Sequence, residues 1–122
     1  ILDFFKKHHW FEIQNKCHKL VSEAKNMLHD YNQDFYSTTN NENHFGQMLS
    51  FKINQNSKLL NEVTNKPSKI SEIQTTILNH SNIRIPIIVW ENQVFTRISI
   101  QAYNTIDDVK AMIQMLNYFN LL

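Results

Sequence analysis

Ile83-Arg84-Ile85-Pro86-Ile87-Ile88-Val89-Trp90, followed by Glu91-Asn92-Gln93 and then by Val94-Phe95-Thr96-Arg97-Ile98-Ser99-Ile100-Gln101, decides the fold. Two β-rich runs separated by a short polar connection predict an antiparallel hairpin over 83–90 and 94–101. Downstream, Thr105 with Asp108 three residues on resembles a capping box. The helix it opens has Val109, Met112, Ile113, Leu116, Tyr118 and Phe119 on its apolar side. Upstream, Ser68 or Ser71 caps a helix with apolar Ile70, Ile73, Ile77 and Leu78, ending near Asn79 to Asn82. Residues 54–67 are mixed, with a short helical turn expected around Leu59, Leu60 and Val63 before Pro67.

Farther out, Leu49, Phe51 and Ile53 alternate within 47–53 as in a half-buried strand, and Gly46 stands where a turn into it can require positive φ. Residues 32–44, rich in Asn, Ser, Thr and acids, read as a loop. From Trp10, apolar residues recur in steps of three and four, with occasional adjacent pairs, through Ile13, Cys17, Leu20, Val21, Ala24, Met27, Leu28 and Tyr31, one long helical stripe. Ile1 to Phe5 reads as the end of another helix, with Lys6 to His9 as the bend. The order helix, strand, helix, hairpin, helix predicts a single α+β domain over 1–122. It is a two-layer small domain: a three-stranded, mainly antiparallel sheet covered on one face by helices and preceded by a long N-terminal helix.

Composition excludes several classes. The 122 residues contain a single glycine, where average usage gives about 8 or 9, so GxGxxG, Walker A and G-x-S-x-G sites are missing. With 12 basic against 11 acidic residues, the basic excess of a nucleic-acid footprint is absent. One cysteine excludes an internal disulfide or paired-Cys zinc site, and a reducing, cytoplasmic setting is the default. The longest apolar run, 85–90, is too short to span a bilayer, and the start lacks signal-peptide features. A first residue other than Met suggests an excised piece of a longer chain.

Few side chains present themselves for chemistry. The six histidines form no HxxxH or HExxH pair, and no metal site is expected. Cys17 lies on the apolar stripe as a small buried hydrophobe, and Asp107 and Asp108 suit a helix N-terminus through its dipole. Arg97 is different. It interrupts a strand whose flanking residues Thr96 and Ile98 face the other way, so its planar fork can offer two parallel bonds to a carboxylate or phosphate. An edge-strand arginine paired with Glu91, or simply solvated, is the competing reading.

Arg97-Ile98-Ser99-x-Gln101-x-Tyr103-Asn104-Thr105-x-x-Asp108 resembles the C-terminal signature of class V aminotransferases, the pyridoxal-phosphate enzymes that include isopenicillin N epimerase-like proteins and cysteine desulfurases. Three other stretches are similar in order and spacing: Trp10 through Cys17-His18-x-Leu20, Gly46-Gln47-Met48, and Ile83-x-Ile85-Pro86-Ile87. The resemblance implies the small C-terminal domain of a fold-type I enzyme, with Arg97 binding the substrate α-carboxylate. It also implies that the Schiff-base lysine, the remaining catalytic groups and the pyridoxal 5'-phosphate site lie in a large domain outside this chain. No catalytic, cofactor-binding or metal-binding residue is therefore expected here. The expected partners are that large domain, an amino-acid substrate and a second subunit in a homodimer, with neither nucleic acid nor membrane. The lone cysteine lies in the long helix, not in a mobile loop, which points to the epimerase-like or aminotransferase branch. The alternative is a free-standing protein-interaction module that keeps the small-domain fold without activity.

Overall fold

Strand pairing begins at a two-residue turn. Glu91 and Asn92 both have positive φ, 48° and 59°, the type I′ geometry whose twist matches flanking strands. Gln93 therefore joins the second strand, and the connection is one residue shorter than the sequence suggests. In the computed structural model, which describes residues 2–39, 41–61, 63 and 65–122, the hairpin comprises β2 (Ile87–Trp90) and β3 (Gln93–Ser99). Ile1, Asn40, Glu62 and Thr64, read above as part of a helix end and of loops, lie outside the described residues.

The expected first strand of the hairpin, 83–90, pairs only from Ile87. Pro86 has no N–H to continue the ladder, and its carbonyl instead accepts from the Thr96 hydroxyl at 2.7 Å. On the other side of β3 lies β1 (Met48–Lys52), in register Leu49 opposite Ile98 and Phe51 opposite Thr96. The order β1-β3-β2 makes β3 the central strand, with both neighbours antiparallel to it. A further bridge, Ser37 to Phe51, adds part of the loop before β1 to the sheet edge.

Helices cover one face only. α2 (Trp10–Tyr31) buries Cys17, Leu20, Val21, Ala24 and Leu28, as its stripe predicts. It follows the short α1 (Leu2–Lys7), from which it is set off by His9 in a left-handed conformation, φ 49°. α3 (Ile70–Ser81) turns Ile73 and Ile77 inward and stops at Asn82, φ 59°. α4 (Ile106–Tyr118) buries Val109, Met112, Ile113, Met115 and Leu116. These residues form one core with Leu49, Phe51, Ile87, Val94 and Ile98 of the sheet. The fold is thus an α+β domain with a three-stranded antiparallel sheet and a long N-terminal helix.

Several local expectations need correction. Neither Ser68 nor Ser71 caps α3, because a 3₁₀ turn at Pro67–Lys69 leads straight into it and takes over the role of the cap. The turn expected around Leu59, Leu60 and Val63 takes the form of successive single turns closed by Ser57, Leu60 and Val63 N–H groups, and Leu60 and Val63 are buried. Tyr118 is 66% exposed and stacks on His80 at 3.9 Å instead of entering the core. The end of α4 explains this: Asn120, φ 55°, lets Leu121 N–H reach back to the Leu116 carbonyl and Asn120 N–H to Asn117. That is a Schellman cap with Asn in the glycine position, and it buries Leu121 in place of Tyr118. Gly46 does not have positive φ, and an added Cβ would meet nothing within 4 Å. Gly46→Ala is therefore expected to leave stability unchanged or to raise it by about 0.4–1 kcal/mol, as judged by urea denaturation.

Candidate functional site

Arg97 projects from the exposed side of β3, between Thr96 and Ile98, which are both buried. It sits on the central strand, so the edge-strand reading falls. Its side chain makes no ion pair or hydrogen bond among the described residues, with Glu91 or any other. On the face it occupies, Met48, Ile88 and Trp90 lie exposed, with Phe95 between Lys52 and Ile88 in the register. Phe95 is 9% exposed yet lies outside the core cluster, as a residue on the far side of the sheet must.

Beyond Ile87 and Thr96 the hairpin ladder stops, and the two strands part to open a cleft of about 370 Å³. Its walls are the segment 82–86, the end of β3 and the first turns of α4. Two bonds hold the 82–86 wall: Gln74 of α3 donates to the Ile85 carbonyl at 3.1 Å, and Thr96 holds Pro86. The floor is apolar, with Ile83, Ile98, Ile100 and Met112. Arg84 and Arg97 are both among its lining residues, and both are exposed. A larger hollow of about 580 Å³ beside the loop at 32–36 presents only Asp34 and Lys52 as charged groups, and a surface depression suffices to describe it.

The turn after β3 is rigidly built. Asn104 Oδ1 accepts from Gln101 N–H at 2.8 Å, and Asn104 N–H returns to the Gln101 carbonyl at 3.0 Å. The capping box at Thr105 and Asp108 forms as expected, with Thr105 N–H donating to Asp108 Oδ2 at 2.8 Å. That backbone bond, followed by the Asn104 amide, holds the Asp108 carboxyl below the usual carboxylate range. A depressed folded-state value contributes stability above the unfolded value and loses it as pH falls through the folded one. Asp108→Asn should accordingly flatten the acid side of the stability profile. Thr105→Ala should cost about 0.5–2 kcal/mol at neutral pH, read from the urea midpoint, and an unchanged midpoint would contradict this role. Tyr103 is 81% exposed and joins none of these bonds.

Cys17 is buried, where the helical stripe places it. The histidines stay dispersed, and no group of three or more metal-ligating side chains clusters among the described residues. No helix of the described residues is long and apolar enough to cross a membrane. Sequence reasoning missed Arg84. The available signal was composition, since Arg84 and Arg97 are the only arginines among 12 basic residues. No family model, curated protein or solved structure matches the chain.

Proposed function

We propose that this chain is the substrate-side small domain of a pyridoxal-phosphate-dependent enzyme resembling class V aminotransferases, in which Arg97 binds the α-carboxylate of an amino acid. The observation that carries the reading is an unpaired guanidinium on the central strand, within the Arg97-Ile98-Ser99 to Asp108 motif, at the mouth of a cleft. A bidentate arginine fixes both oxygens of a carboxylate and so restricts rotation of the carbon bearing the reacting bonds. The apolar side chains on this sheet face add support, since exposed Met48, Ile88 and Trp90 on the same face as Arg97 suit burial against a second domain.

The cofactor itself does not suit the residues present. No lysine lines the cleft, and Asp108, its one lining carboxylate, is engaged by Thr105 and Asn104. Pyridoxal phosphate would supply its electron sink from the other domain, and this chain would bind and orient the substrate. A homodimer and a cytoplasmic location belong to the same proposal.

Borohydride fixation of pyridoxal phosphate to the intact polypeptide, followed by peptide mapping, tests it. The labelled lysine is expected outside residues 1–122. Label on a lysine within these residues, or none at all, would contradict the reading. The latter result would favour an interaction module using the same uncovered face.

A further inference from the structure

We infer that Arg84 and Arg97 together make a two-point anion site, so that the ligand is an amino or oxo acid carrying a second anionic group on its side chain. The inference rests on the proposed role of Arg97 and adds the substrate class. Its first ground is placement. Continuing the hairpin register past its last pair, Ile87 with Thr96, sets Arg84 across from Ser99 and Pro86 across from Arg97. Both arginines are exposed, and the buried Ile85 and Ile98 point to the core between them. The ladder is already broken there, and the cleft is lined by both arginines, one from each strand's continuation.

The second ground is residue choice. Every other basic residue is a lysine, and no lysine lines this cleft. Guanidinium is the cation that presents a planar fork to a carboxylate, where ammonium acts as a point charge. The third ground is charge balance. Neither arginine has an ion-pair partner among the described residues, and the one carboxylate lining the cleft is occupied by the α4 cap. Two like charges at one cleft repel each other, and a dianion relieves that repulsion while making charge-assisted bonds to both. Ile83, Ile98, Ile100 and Met112 give the short hydrocarbon link between the two anionic ends an apolar floor. Bonds from Gln74 and Thr96 to consecutive carbonyls hold the segment that carries Arg84, so the second charge is positioned in advance.

With only two arginines, the ¹⁵N-arginine-labelled 122-residue chain gives two side-chain Nε–H signals, which Arg84→Lys and Arg97→Lys assign. Succinate or glutarate is expected to move both signals and to bind about ten-fold more tightly than propionate, the increment of one charge-assisted pair. Propionate is expected to move Arg97 alone, and Arg84→Lys should reduce dicarboxylate affinity to the propionate level. If the dicarboxylates move only Arg97 and match propionate in affinity, the two-point site is overturned and the Arg97 reading stands. If Arg97 responds to none of these acids, both are overturned.

Discussion

On the proposed carboxylate-binding role, Arg97→Lys in the intact polypeptide is expected to weaken amino-acid binding by about 10- to 100-fold while leaving the absorbance of any bound pyridoxal phosphate unchanged. The size follows from the loss of one bidentate, charge-assisted contact, about 1.5–3 kcal/mol. Lysine keeps the charge but loses the two parallel donors. Stability should hardly change, because Arg97 is exposed and engages no other described side chain. Equal urea midpoints for the two proteins would separate a binding defect from a folding defect. An amino-acid titration showing wild-type affinity would remove the residue from the site.

The largest expected effect on stability comes from Phe51→Ala. Phe51 is fully buried at the centre of the core, on β1 opposite Thr96, and is packed by Phe35 at a ring separation of 5.3 Å. Truncation there leaves a cavity under two elements that cannot both collapse into it, and costs about 3–5 kcal/mol. Native domains hold only about 5–15 kcal/mol in total, so the variant should lie near its unfolding limit at room temperature. Phe11→Ala, at a position 82% exposed, should change stability by no more than about 0.5 kcal/mol. Urea unfolding of both variants checks the contrast, and comparable small losses would mean that the core is not organised around β1.

What the sequence made legible was whatever a short repeat or a local bond determines. The 3.6-residue stripe from Trp10 to Tyr31 coincides with α2, and Thr105 with Asp108 forms the box its spacing implies. Both depend on residues close in the chain. Alternation around Leu49 and Phe51 likewise anticipated β1, whose register follows from burying one face. Less legible were features set by distant partners. Whether Ile83 to Pro86 paired depended on Thr96 and Gln74 taking the carbonyls of Pro86 and Ile85. Tyr118 looked like a core residue by periodicity, but the Asn120 reversal delivered Leu121 to that position instead.

The site followed the same division. Arg97 was visible as a charge breaking an apolar alternation, and its place on the central strand required only the hairpin and β1. Arg84 lies two residues before Pro86 in a segment that reads as strand, and nothing in its neighbourhood distinguishes it from a solvated surface residue. Only the splaying of the two strands beyond Ile87 brings it to the same cleft as Arg97.

The most direct measurement compares the binding of an amino acid and of its carboxamide, which lacks the carboxylate charge, to the intact wild-type polypeptide and to Arg97→Lys. A carboxylate clamp predicts that wild type prefers the acid by at least about ten-fold, as one charge-assisted contact requires, and that the substitution abolishes most of that preference while barely affecting the amide. Equal losses for acid and amide, or a preference that survives the substitution, would contradict the assignment of Arg97 to the substrate carboxylate.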